Sequence, residues 1–90
     1  MPTKPVLMSA NNHDGWTLED LLKQIQLELD EKTKRLDGDM TTPACRVASN
    51  NYTMMRKLAE CEKLQSLNVA ILNSIGPNPG PSGTPRIGVK

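Results

Sequence analysis

The longest uninterrupted hydrophobic and polar pattern in the chain runs from Pro43 to Ile75, with no internal Gly or Pro, bounded by Thr42 before and by Gly76-Pro77 after. At 100° per residue, Val47, Met54, Leu58, Cys61, Val69 and Leu72 fall within one broad face, with Ala48 and Met55 at its edge. Leu64, Leu67, Ile71 and Ile75 form a second stripe, about 100° around the cylinder, confined to the C-terminal third. The pattern predicts one long helix over 43–75 whose last turns are apolar on two sides. Thr42 is the expected N-cap, Pro43 suits the first helical position, Gly76 is expected to take a left-handed cap, and Pro77 forbids continuation.

A shorter pattern precedes it. Leu18, Leu22, Ile25, Leu29 and Leu36 recur at alternating spacings of four and three, with Lys32 in the remaining seam position and Leu21 widening the stripe. Thr17 is a suitable N-cap, Glu19 and Asp20 place negative charge on the positive end of the helix dipole, and Gly38 marks the end. Glu28 with Lys32 and Glu31 with Arg35 are i,i+4 pairs in the favoured order. The first helix is therefore predicted over Leu18–Asp37, joined to the second by the short connector Asp37-Gly38-Asp39-Met40-Thr41-Thr42, a length that suits antiparallel neighbours. Acidic residues flank Gly38, but the ligand spacing and terminal Glu of a calcium loop are missing.

These elements define an all-α fold: an antiparallel two-helix hairpin with a long second helix, assembling into a helical bundle. Residues 1–15 read as a flexible arm, 16–76 as the hairpin, and 77–90 as a disordered Pro/Gly-rich tail. The arm carries one apolar patch, Val6-Leu7-Met8, with three alternatives open: cover for the end of the long helix in its own chain, cover in a neighbour, or disorder. At about 1.5 Å per residue, the first helix covers the second only to about Lys63. Leu64, Leu67, Val69, Ile71, Leu72 and Ile75 then overhang, and they form the expected oligomer interface. Burying six such side chains represents on the order of 10 kcal/mol before entropic corrections, comparable to the whole stability of a small domain. A symmetric dimer or higher homo-oligomer is the expected assembly.

Composition narrows the palette and the chemistry. With one Trp, one Tyr and no Phe among 90 residues, the core must be built from Leu, Ile, Val, Met and Ala. The net charge of +1 is spread over interspersed Lys, Arg, Asp and Glu, so nucleic acid is not the expected partner and nothing marks a membrane surface. Cys45 and Cys61, about 24 Å apart along one helix, cannot bridge within the chain, since Cα atoms must come within about 7 Å. They are expected to pack as small reduced hydrophobes in a cytoplasmic protein, the alternative being an intermolecular disulfide. No secretory leader is legible near Met1, and Val69 to Leu72 is too short an apolar run to span a membrane.

Candidate chemistry is sparse. The single histidine, His13 beside Asp14, has no second ligand at helical spacing and reads as a solvated loop residue, so no metal, cofactor or catalytic group is expected. Trp16 is expected to staple onto Leu21, with an exposed binding anchor as the alternative. The functional expectation is a non-enzymatic, self-associating helical protein that binds another macromolecule, expected to be a protein, as a small adaptor, inhibitor or regulator. The alternative is an oligomeric binder of a small anionic ligand or nucleotide, using inter-subunit pockets lined by Arg46, Asn50, Asn51, Tyr52, Arg56 and Lys57.

Overall fold

The computed structural model describes residues 4–88 and contains two helices, α1 (Leu18–Lys34) and α2 (Thr42–Ile75), packed as an antiparallel hairpin. Thr17 caps α1 through its hydroxyl, which accepts from the Asp20 N–H at 3.3 Å. The helix ends three residues before the expected Asp37. Leu36 and Asp37 donate to Thr33 and Lys34 in i→i−3 bonds that tighten the last turn, and Gly38 at φ 88° then reverses the chain.

The start of α2 differs from expectation by one residue. Thr41, not Thr42, is the N-cap, its hydroxyl accepting from Ala44 N–H at 3.4 Å, and Pro43 sits one position inside the start. The reason lies upstream. The Asp39 carboxylate accepts from both the Thr41 N–H (3.0 Å) and the Thr41 hydroxyl (2.8 Å), holding Thr41 in the extended backbone that a cap requires. At the far end Gly76 is not left-handed. Its φ of 173° is extended backbone, as Pro77 imposes on the residue before it, and its N–H still donates to Leu72 O at 3.3 Å.

The seam between the helices is not the one the apolar pattern predicts. Leu22, Leu29 and Leu36 lie on it as expected, but Glu19, Gln26 and Thr33 complete it, while Leu18, Ile25 and Lys32 stand exposed to one side. The observed row rotates the predicted face by about 50° at 100° per residue. On α2 the matching row is Ala44, Ala48, Asn51, Met55, Leu58, Glu62, Gln65, Val69 and Leu72, spaced alternately by four and three; Val47, Met54 and Cys61, expected in the core, are exposed.

Hydrogen bonds explain the choice. Gln65 donates to Glu19 (3.3 Å), Gln26 donates to Glu62 (2.8 Å), and Asn51 donates to the Thr33 hydroxyl (3.1 Å), which itself donates to Leu29 O (2.7 Å). Glu19 to Thr33 is fourteen residues forward on α1, and Gln65 to Asn51 is fourteen back on α2, so the two outer bonds report one register. That register sets Leu29 opposite Met55 and Leu36 opposite Ala48. Between the two outer bonds Leu22 faces Glu62 and Gln26 faces Leu58, with the Gln26–Glu62 bond running diagonally across these two mixed layers, and a slip would strand the polar groups. Thr33 is fully buried, and Leu22 and Ala44 are the buried hydrophobic residues among those described.

Ahead of α1, the segment expected as a flexible arm closes into a loop. Met8 N–H donates to Trp16 O at 2.8 Å and Trp16 N–H to Val6 O at 2.9 Å, a single parallel bridge. Asn12 fills the loop, its amide donating to Pro5 O and Leu7 O. The tail returns to α2: Arg86 donates to Asn73 Oδ1 (3.0 Å) and Gly76 O (3.1 Å), placing a cation on the negative end of the helix.

Two predictions test this construction. Thr33→Val, which leaves the Asn51 amide buried without its acceptor, is expected to cost about 1–3 kcal/mol in urea unfolding at fixed protein concentration, whereas Thr33→Val with Asn51→Leu should recover most of the loss. Additive losses would show that the bond does not matter. The Thr41 hydrogen bonds hold the Asp39 carboxyl below the usual carboxylate range. Its contribution is therefore fully present above the ordinary carboxylate pKa and is lost as pH falls through the lowered value. Thr41→Val removes the hydroxyl and keeps the backbone N–H, the larger cause, so NMR titration should show Asp39 shifting only part of the way upward; an unchanged midpoint would exclude the hydroxyl's contribution.

Candidate functional site

One side of the hairpin is left open. In an antiparallel pair, the position flanking the seam on one helix lies beside the equivalent position on the other, so Leu18, Leu21 and Ile25 of α1 border the same face as Val47, Met54 and Cys61 of α2. Leu64, Ile71 and Ile75 continue that face along α2. On α2 the open stripe lies about 110° from the seam, the separation expected for a helix that touches two neighbours in a bundle. The opposite side carries Lys23, Leu27 and Asp30 of α1 with Tyr52, Ala59 and Ser66 of α2, and mixes polar side chains with the apolar Leu27 and Met55.

The expected interface residues divide between two environments. Leu64, Leu67, Ile71 and Ile75 are all exposed by more than half, with Leu67 at the edge of their stripe, about 40° from Ile71. Val69 and Leu72 are half-buried. They line a cleft of 390 Å³ with Leu7, Met8, Trp16 and Arg86, where arm and tail meet the end of α2. The opposition of Glu19 and Gln65 carries α1 cover to about Ser66, three residues past the expected limit. Beyond that point Leu7 and Met8 of the arm line one side of α2, the in-chain one of the alternatives left open for the Val6-Leu7-Met8 patch. Trp16 is 45% exposed, its ring forming a wall of this cleft.

The residues considered for an anionic ligand do not gather. Asn51 is committed to the seam through Thr33. Arg46, Asn50 and Lys57 are exposed within about 40° of one side of the cylinder but are strung over about 16 Å of its length, while the exposed Tyr52 and Arg56 lie about 80–160° around from them. Arg56 donates to Thr53 at 3.2 Å. No pair of these cations converges within one chain.

Other chemistry is limited. His13 Nε2 and Ser82 Oγ lie 2.6 Å apart, an exposed contact across 69 residues of sequence that no local signal announces. Nothing orients the ring from its other nitrogen, so the pair lacks the third member of a nucleophile relay. Among the described residues no group of three His, Cys, Asp or Glu side chains could hold a metal ion, and no helix is long and apolar enough to cross a membrane. Both thiols are free and exposed in the single chain rather than packed, Cys61 on the open face and Cys45 on the other side. The ion pair formed among the described residues is Asp30 with Lys34 at 3.0 Å, while Glu28, expected to pair with Lys32, accepts from Gln24. That pair raises the Lys34 pKa, chiefly through its hydrogen bond to Asp30. Compared with protein families, with curated proteins and with solved structures, the chain matches none.

The arm has its own test. A Cβ on Gly15 would stand 2.7 Å from Leu7 C and Met8 N, backbone that has nowhere to move while the Trp16 bridge holds. Gly15→Ala is expected to cost about 1–3 kcal/mol as overpacking does, and to shift Trp16 fluorescence to the red while the far-UV helical signal is kept. Unchanged emission would show that the arm does not cover α2 in solution.

Proposed function

We propose that this chain is a non-enzymatic helical protein that self-associates through the open face of its hairpin and serves another macromolecule as an adaptor, inhibitor or regulator. The observation that carries the reading is surface area. The single chain exposes 7218 Å², whereas a folded monomer of 9.9 kDa is expected to expose about 5200 Å². The excess, about 2000 Å², is more than twice the roughly 800 Å² that one partner loses in a standard stable interface.

Shape supports the same conclusion. The radius of gyration is 17.5 Å against about 12 Å for a compact domain of this length. The molecule is 19 Å across its thinnest direction, under two helix diameters of about 10–12 Å each. Domains bury their apolar surface between two packed layers, and a single hairpin supplies one. A second hairpin laid on the open face supplies the other and makes a four-helix bundle. An assembly of this kind offers paired copies of its outer surface to a partner, which suits an adaptor or regulator better than chemistry.

Light scattering after size exclusion is the test. The wild-type chain is expected to run at twice its mass or more at tens of micromolar, and Leu64→Lys with Ile71→Lys to run as a poorly stable monomer, because each change puts a charge into a buried contact. Arg35→Ala and Lys63→Ala, on exposed positions, should change little. A monomeric wild type would overturn the proposal.

A further inference from the structure

On α2 the open stripe reads Val47, Asn50, Met54, Lys57, Cys61, Leu64, Asn68, Ile71 and Ile75, at spacings that alternate three and four. That is a heptad repeat sustained for four heptads on a face that α1 does not touch. We infer that a second copy of this chain docks here, α2 against α2 and antiparallel, in the register that places Asn50 opposite Asn68 of the second copy. The inference rests on the proposed self-association and adds its surface, direction and register.

The polar positions of the stripe decide the register. With Asn50 opposite Asn68, Val47 faces Ile71, Met54 faces Leu64 and Lys57 faces Cys61, so apolar meets apolar and the two asparagine amides meet each other, where each can donate and accept. Lys57 lays its stem over a small polarisable thiol and carries its ammonium to the rim. Sliding one heptad one way sets Lys57 against Met54 and Asn50 against Cys61. Sliding one heptad the other way leaves the Asn50 amide against Ile75. Parallel pairing is worse, since it sets each Lys57 against its own copy and places like charges across the interface.

The same register fixes what the thiols can do. Cys61 and its symmetry mate are offset by four residues, about 6 Å along the axis, which with helix axes about 8–10 Å apart and Cα atoms about 2.3 Å off each axis puts their Cα atoms about 7–8 Å apart, at the outer limit for a disulfide. The association needs no disulfide and should survive reductant. Leu18, Leu21 and Ile25 of α1 border the same face and extend the covered surface.

Cross-linking reads the register directly in the full chain, with Cys45→Ser and Cys61→Ser removing the native thiols. Met54→Cys with Leu64→Cys, and separately Val47→Cys with Ile71→Cys, should each give covalent dimer in high yield under mild oxidation on a non-reducing gel. Within one chain the members of each pair are about 15 Å and 36 Å apart along the helix and cannot bridge. Met54→Cys with Ile71→Cys, matched to the register one heptad away, should give at least fivefold less. Preferential cross-linking of this last pair, or no cross-link from either of the first two while light scattering still reports an oligomer, would overturn the inference and leave self-association standing. Monomeric mass for the unmodified chain would overturn both.

Discussion

A helix that is apolar on two faces can satisfy only one of them against a single antiparallel neighbour, and α2 is such a helix. Its seam row, from Ala44 to Leu72, is used within the chain; its second row, from Val47 to Ile75, is not. Much else follows from that limit: the scarcity of buried hydrophobic residues, the area in excess of a compact monomer, and the return of arm and tail over Val69 and Leu72. Those two segments cover the end of the seam row after α1 stops. They leave Leu64, Ile71 and Ile75 exposed.

The division of labour between the two rows is unusual in its chemistry. Within the chain, the contact is half polar, with Glu19, Gln26 and Thr33 of α1 hydrogen-bonded to Gln65, Glu62 and Asn51 of α2. Such bonds add about 1 kcal/mol each at most occasions of measurement, but each buried group left unpaired costs more, so they act mainly against wrong registers. The second row of α2 carries as many apolar positions as the seam row, six of nine, and has no partner inside the hairpin. A polar, register-specific seam beside an uncovered apolar face is the combination on which the proposed self-association rests, since binding a second copy would add to the stability of the folded chain.

Both helices were legible because their punctuation has local physical causes: Thr17 and Glu19-Asp20 at one start, Pro43 near the other, Gly38 and Pro77 at the stops. The Asp39 side chain moved the second cap by one residue, a choice that depends on a carboxylate two positions upstream. The seam was not legible. Periodicity follows apolar residues, and so it selected Leu18, Ile25, Val47, Met54 and Cys61 over Glu19, Gln26, Thr33 and Asn51, whose partners lie 18 to 46 residues away. The exposure of Leu64, Leu67, Ile71 and Ile75 followed from helix lengths alone, whereas the cover over Val69 and Leu72 depended on the arm's Trp16 bridge. The 100° steps also place Arg46, Asn50 and Lys57 toward one side of α2 and Tyr52 and Arg56 toward another.

The two cysteines are a built-in report on the central claim that the open face is covered in solution. Cys61 lies on that face and Cys45 on the other side, and both are exposed in the single chain. Thiol labelling with a chromogenic disulfide reagent, in the native protein across a dilution series, should show Cys45 reacting freely at every concentration. Cys61 should react at least tenfold more slowly at tens of micromolar and approach the Cys45 rate on dilution as copies separate. Equal rates at the two sites throughout would contradict the account, because the face that carries Cys61 would then be open to water.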